Sequence, residues 1–172
     1  NCEDKNGNGT IETSTDATFL PWDQDEGLAW RIEIPRKASE ERRGPRAVQW
    51  TAPEAIDACH YATPKIWTVF CNEADDDATV WLVNGVDGSI EVEIPIVDYA
   101  CKTYGPYGGA VDADNNLWFP DRESTTLYRV DYDCQPTGAE TCWEAFPPPD
   151  PDMDAYGITV DTMGRVWMAG MG

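Results

Sequence analysis

A pattern of thirteen residues occurs twice in the chain, 49 residues apart. The first copy, at 107–119, reads Tyr-Gly-Gly-Ala-Val-Asp-Ala-Asp-Asn-Asn-Leu-Trp-Phe. The second, at 156–168, reads Tyr-Gly-Ile-Thr-Val-Asp-Thr-Met-Gly-Arg-Val-Trp-Met. Each copy combines a short apolar strand, a polar turn and a second strand that carries a Trp. Such self-similarity predicts a fold built from repeated units of strands.

Short β-branched and aromatic stretches, separated by Gly, Pro and Asp, extend this organisation along the chain. Four antiparallel strands about every 50 residues, with a Trp on the second, predict an all-β fold of β-propeller blades. We expect about three blades after an N-terminal segment at 1–27. Two are complete, at 46–95 and 104–147, and one is split between an outer strand at 28–35 and a half blade at 156–172. A β-sandwich would give no reason for the fixed spacing.

Three blades are fewer than the roughly four to eight that close a propeller. We therefore expect a partial propeller that is completed by another copy of the chain, by a second polypeptide or by a continuation outside these residues, because open strand edges pair readily with other strands. Within each repeat, Asp112 and Asp161 are expected to accept backbone N–H bonds in the turn. Trp118 and Trp167 are expected to pack between blades.

The motif at 104–131 contains Pro-Tyr-Gly-Gly-Ala-Val-Asp and, further on, Leu-Tyr-Arg-Val-Asp. It resembles a blade of the virginiamycin B lyase-like group, and more broadly the NHL and gluconolactonase-type propellers, and the motif at 156–168 resembles a second blade. The resemblance is weaker over 46–95 and absent over 1–27. In that family catalysis depends on His and acidic residues with a divalent metal. The single His of this chain, His60, lies outside the matched blades, so the resemblance implies no catalytic residue here.

The N-terminal residues 4–16 contain the start of a calcium loop, Asp4-x-Asn6-x-Asn8-Gly9-Thr10-Ile11. Oxygen-bearing side chains at alternate positions turn toward one hard cation, and Gly permits the sharp bend. An EF-hand loop has a bidentate Glu at its twelfth position, where this chain has Thr15, so the loop resembles those of dockerin-like or thrombospondin-like repeats. The alternative is an Asn-Gly turn without a metal. The candidate calcium ligands are Asp4, Asn6, Asn8, Thr10, Glu12 and Asp16.

Six cysteines without a Cys-x-x-Cys motif favour disulfides in an oxidising compartment over a zinc site. Local spacing favours Cys134 with Cys142 and Cys59 with Cys71, which leaves Cys2 with Cys101. The net charge of −20 argues against nucleic acid as a partner. No apolar run reaches the roughly 20 residues of a membrane span. We therefore expect a secreted, extracellular, periplasmic or cell-surface protein.

These observations favour a secreted, calcium-binding propeller module that serves binding or structural assembly and has no catalytic site of its own. Two alternatives stay open. The chain can be part of a virginiamycin B lyase-like, metal-dependent lyase whose catalytic residues lie elsewhere, or a subunit of an extracellular filament or surface assembly. The candidate ligand contacts are aromatic side chains able to stack on sugars or peptides: Trp22, Tyr99, Tyr104, Tyr107 and Tyr156.

Overall fold

The computed structural model describes residues 3–15, 17, 19–35, 45–57, 59, 62–72, 77–99, 101, 104–134, 142–148, 150 and 152–171. The first sheet contains β1 (Ala47–Trp50), β2 (Ile66–Cys71), β3 (Ala78–Val83) and β4 (Ile90–Ile96). The second contains β5 (Ala110–Val111), β6 (Leu117–Pro120), β7 (Leu127–Val130) and β8 (Trp143–Phe146). A hairpin of β9 (Asp154–Val160) and β10 (Val166–Met171) follows. No helix in the described part of the chain is long and apolar enough to cross a membrane.

Each four-stranded sheet is an antiparallel meander in which every strand pairs with the next one in sequence. The first strands of the three sheets are neighbours, because β5 contacts both β1 and β9. The sheets therefore follow one another as blades whose first strands are neighbours. The predicted fold class, all-β with blades of four antiparallel strands, is confirmed.

The main core lies between the first two blades. Alternate residues of β2, β3 and β4 face the second blade, because successive side chains of a strand point to opposite sides. The buried residues on this side include Trp67, Val69, Val80, Leu82 and Ile94, which pack in one cluster with Leu117, Phe119, Tyr128 and Val130 of the second blade. Burial of this surface is the main hydrophobic contribution to holding the two blades together.

The two disulfides of the described residues are Cys71–Cys101 and Cys134–Cys142. The second was expected from local spacing. The predicted pairs of Cys59 with Cys71 and of Cys2 with Cys101 are wrong, because Cys71 ends β2 inside the core, where Cys101 meets it with a Cα–Cα distance of 5.9 Å. Cys59 is exposed and carries a free thiol. Cys2 lies outside the described residues.

Residues 28–34, here called the strap, correct the expectation of an outer strand at 28–35. The strap belongs to no sheet. Its alternate residues Trp30, Ile32 and Ile34 pack on the face of the first blade that points away from the second. The apolar residues of that face are Ile66, Phe70, Trp81 and Val83. The N-terminal part therefore covers the first blade and contributes no strand to β9 and β10, which form a two-stranded sheet.

The repeated Asp residues organise equivalent turns. Asp112 Oδ1 accepts the N–H groups of Asp114 and Asn116, both at 3.0 Å, and Oδ2 accepts the indole N–H of Trp118 at 2.8 Å. The predicted backbone caps are therefore present. The indole bond adds a reason for the fixed spacing of Asp and Trp, since one carboxylate fastens the turn and the strand that follows it.

The second copy repeats this geometry. Asp161 accepts the N–H groups of Met163 and Arg165 and, at 3.0 Å, the indole N–H of Trp167. The packing of the two Trp between blades stays a prediction. Trp118 stacks on Phe146 of its own blade, with ring centroids 5.6 Å apart. Trp167 has no such strand beside it among the described residues and is 55% exposed.

Candidate functional site

The loop at 4–12 folds around the side chain of Asp4. Asp4 Oδ1 accepts the N–H of Gly7 at 2.6 Å and that of Asn8 at 3.2 Å, and Oδ2 accepts the N–H of Gly9 at 2.7 Å. Gly7 and Gly9 have φ angles of 73° and 85°, a region that side-chain-bearing residues rarely adopt. The sequence therefore closes the loop tightly at both glycines.

The two asparagines continue the same pattern. Asn6 Oδ1 accepts the N–H of Asn8 at 3.0 Å, and Asn8 Oδ1 accepts the N–H of Thr10 at 2.8 Å. The Glu12 carboxylate accepts the amide N–H of both asparagines, at 2.9 and 2.6 Å. Asn6, Asn8 and Glu12 thus meet on one side of the loop.

The donor set of this loop suits a hard cation. It consists of the carboxylates of Asp4 and Glu12, two amide oxygens and the Thr10 backbone carbonyl, and calcium prefers such oxygen ligands. Each amide oxygen that accepts one N–H keeps a second lone pair. In the described ranges no three Asp, Glu, His or Cys side chains converge on a metal-sized space, so a metal here would also need the amide and carbonyl oxygens. Asp16, the last predicted ligand, lies outside those ranges.

Glu26 holds the two ends of the loop together. It is only 5% exposed. One carboxylate oxygen accepts the N–H of Lys5 at 2.7 Å and that of Asn6 at 3.1 Å, and the other accepts the N–H of Glu12 at 3.0 Å. These bonds, that of Glu12 foremost, lower the pKa of Glu26 below its ordinary 4.5. The sequence did not indicate this role of Glu26, since no local spacing marks a contact across 14 or more residues.

An open cleft of about 530 Å³ lies beside the loop. Its lining includes Glu12 and Glu26, and it also brings in Asp23, which the sequence did not single out. The remaining lining residues are Lys5, Asn6, Leu20 and Gln24. Three carboxylates and one ammonium group give this cleft an acidic character.

Three of the five predicted aromatic contacts come together near the first strands of the blades. The rings of Tyr107 and Tyr156 lie 5.0 Å apart. The Arg122 guanidinium lies 3.9 Å from the centroid of the Tyr104 ring and 5.3 Å from that of Tyr107. Arg46 lies 5.2 Å from the Tyr107 centroid. We call these five residues the aromatic cluster.

Ion pairing fixes the aromatic cluster. Arg122 makes two 3.1 Å bonds to the carboxylate of Asp154, at the start of β9, and its side chain is 13% exposed. Tyr156 is 45% exposed, and its hydrogen bond to Tyr107 is the main cause of its raised pKa. Tyr156 is therefore the cluster member most accessible to a ligand. The arginines could not be inferred from spacing, because three different blades supply the cluster.

The other two aromatic candidates lie elsewhere. Tyr99 is 4% exposed in the core, 5.3 Å from the ring of Tyr128, and its burial raises its pKa. Its assignment as a ligand contact is therefore wrong. Trp22 is exposed beside a shallow cleft that it shares with Arg31 and Glu33. His60 lies outside the described residues.

No family model matches the chain, and no curated protein matches it. Among solved structures it is similar to virginiamycin B lyase from Staphylococcus aureus, with 17% identity over 73% of this chain and 34% of that chain and a TM-score of 0.49. It is also similar to a streptogramin B lyase, with 14% identity over 76% of this chain and 63% of that one and a TM-score of 0.28. The chain spans about a third of the first of these proteins.

Proposed function

We propose that this chain is a calcium-binding β-propeller module of a secreted protein, serving binding or structural assembly. The loop at 4–12 carries the proposal. Its side-chain oxygens from Asp4, Asn6 and Asn8 alternate along the chain, and the Glu12 carboxylate meets the two amides. Bound there, calcium would supply a charge that neutralises Asp4 and Glu12 and would hold the loop closed.

The disulfides and the charge support a secreted module. Disulfides persist in oxidising compartments, and two are present among the described residues. The net charge of −20 favours association with cations over anions. A loop with few carboxylates binds calcium weakly, with a Kd on the order of 10⁻⁴ to 10⁻³ M, as in extracellular modules.

The proposed ligand surface for a sugar or peptide is the aromatic cluster. Arg122 and Arg46 occupy positions over the rings of Tyr104 and Tyr107, and Tyr156 offers the most exposed ring. Aromatic rings provide large contact area with few rotatable bonds, which suits both sugars and peptides.

Among the described residues β10 has a neighbouring strand on one side only, and this favours assembly. Trp118 is covered by Phe146 of β8, whereas the equivalent Trp167 is exposed and the described residues contain no strand beyond β10. We propose that further strands complete this blade. They come from a second copy, from a second polypeptide or from protein outside these residues.

Calorimetric titration with calcium chloride tests the metal assignment. We expect one calcium ion per chain, at least tenfold weaker binding in Glu12→Gln, and still weaker binding in Asp4→Ala. Asp114→Ala, an exposed acid in a blade turn, should bind like the parent protein. Absence of calcium binding, or unchanged affinity in Glu12→Gln and Asp4→Ala, would refute the assignment.

A further inference from the structure

The strap covers an apolar surface with a fitted contact. The Trp30 indole donates its N–H to the carbonyl of Gly85 at 3.0 Å and lies flat against Gly88. A Cβ atom at Gly88 would come within 2.7 Å of the Trp30 ring. Beneath the strap are the rings of Phe70 and Trp81, whose centroids are 4.6 Å apart.

The opposite side of the strap is polar. Arg31 and Glu33 alternate with the apolar residues and form an ion pair with each other in solvent. The apolar side of the strap thus packs on the first blade, and the charged side faces solvent. Removing it would expose the apolar face of the first blade to solvent.

The strap begins two residues after Glu26, which fastens the loop. The Lys5 ammonium donates to the carbonyl of Leu28, the first strap residue, at 2.6 Å. The N–H of Glu26 also donates to the carbonyl of Glu12 at 2.8 Å. The loop at 4–12 and the entry of the strap are therefore joined by hydrogen bonds at both ends of the loop.

From these contacts we infer that calcium binding in the loop and docking of the strap on the first blade are coupled through Glu26. The inference rests on the proposed calcium site. A cation that draws Asp4 and Glu12 together would order the N–H groups that hold Glu26. Lys5, one of these N–H donors, also bonds the first strap residue through its ammonium group. Because the bound metal already orders the loop, docking of the strap then loses less conformational entropy.

Coupling between two sites is reciprocal, so the strap must also change calcium affinity. Calcium-free protein releases the strap more often and exposes the apolar face of Ile66, Phe70, Trp81 and Val83. Calcium-loaded protein keeps that face covered.

The test is calcium titration of strap variants. Trp30→Ala and Ile32→Ala should each weaken calcium binding about five- to tenfold, within the usual range of coupling between sites. Arg31→Ala, on the outer side of the same strap, should stay within twofold of the parent protein. Equal affinity in all four proteins would overturn the coupling and leave the calcium site intact. If the parent protein binds no calcium, both proposals fail.

Hydrogen exchange provides a second readout that a loss of global stability would not reproduce. Calcium should slow amide exchange across 28–34, with no change in β6 and β7, and a chelator should raise the binding of a hydrophobic dye. Glu26→Gln retains its shape but loses one acceptor, so calcium should no longer protect 28–34 in that variant. Unchanged protection of 28–34 on calcium addition to the parent protein would contradict the inference.

Discussion

A single carboxylate organises each repeated turn. Removing Asp112 leaves two backbone N–H groups and the Trp118 indole without their acceptor. We expect Asp112→Ala to lower the free energy of unfolding by roughly 2–4 kcal/mol. Urea denaturation measures this, and Asp114→Ala in the same turn is the matched control. A loss under about 0.5 kcal/mol would mean that the Asp112 carboxylate has little part in stability.

Buried tyrosines predict a loss of stability in alkali. Burial, with a smaller contribution from the charge of Asp121, raises the pKa of Tyr128 from 10.0 to about 12. Below pH 10 the Tyr128 phenol is protonated in both the folded and the unfolded chain, so its full contribution to the free energy of unfolding is present. Between pH 10 and 12 the unfolded chain loses the proton first, so unfolding becomes easier by up to about 3 kcal/mol.

Urea denaturation at several pH values between 8 and 11 checks this. Tyr128→Phe should be less sensitive to alkali than the parent protein. Some sensitivity should persist, because burial also raises the pKa of Tyr99. Identical pH dependence in the parent protein and Tyr128→Phe would contradict the assignment.

Individual residues differ in how far the sequence could predict them. Asp112 and Asp161 were predictable, because two copies of one motif show which polar residue the turn requires. Glu26 was not, since its partners are 14 to 21 residues away and depend on how the N-terminal segment folds. Tyr99 was predicted as a ligand contact, and only the packing of two blades buries it.

At the scale of elements, Cys71–Cys101 joins the end of β2 to the segment that leads into the second blade. It closes a loop of 30 residues and lies in the core. We expect the double change Cys71→Ala and Cys101→Ala to cost about 3–4 kcal/mol of unfolding free energy, since the unfolded chain gains freedom. Scanning calorimetry measures the effect.

The disulfide Cys134–Cys142 and the free thiol of Cys59 provide the comparisons for the effect of removing Cys71–Cys101. Cys134–Cys142 closes a loop of 8 residues, so its removal should cost less, about 2–3 kcal/mol. Cys59→Ala should leave the melting temperature unchanged, because that residue is exposed and unpaired. A larger loss from Cys134–Cys142 than from Cys71–Cys101 would contradict the loop-length account.

The strap illustrates a limit of periodicity. Alternating apolar residues at Trp30, Ile32 and Ile34 predict a strand with one buried side. The buried side forms, but the segment pairs with no sheet. Periodicity does not distinguish a strand that pairs with a sheet edge from a segment that lies across a sheet face. Spacing along the sequence likewise did not identify the disulfide partner of Cys71, because that partner depends on the arrangement of the blades.

For the whole molecule we propose association between copies, because the described residues place no strand beyond β10 in its sheet. The charge of −20 opposes contact between copies, and salt screens that repulsion. We therefore expect light scattering to show masses above that of the monomer as sodium chloride rises to about 0.5 M. Trp167→Lys should reduce this association, whereas Met163→Lys, at an exposed turn, should not. A strictly monomeric protein at about 0.5 M salt would exclude association between copies through this edge.

We propose that calcium binds in the loop at 4–12, and a crystal structure of the protein grown with calcium tests this most directly. We predict one ion bound by oxygens of Asp4, Asn6 and Asn8, the Thr10 carbonyl and Glu12, with Glu26 still holding the N–H groups of the loop. An ion bound elsewhere, or a loop without an ion at saturating calcium, would contradict it.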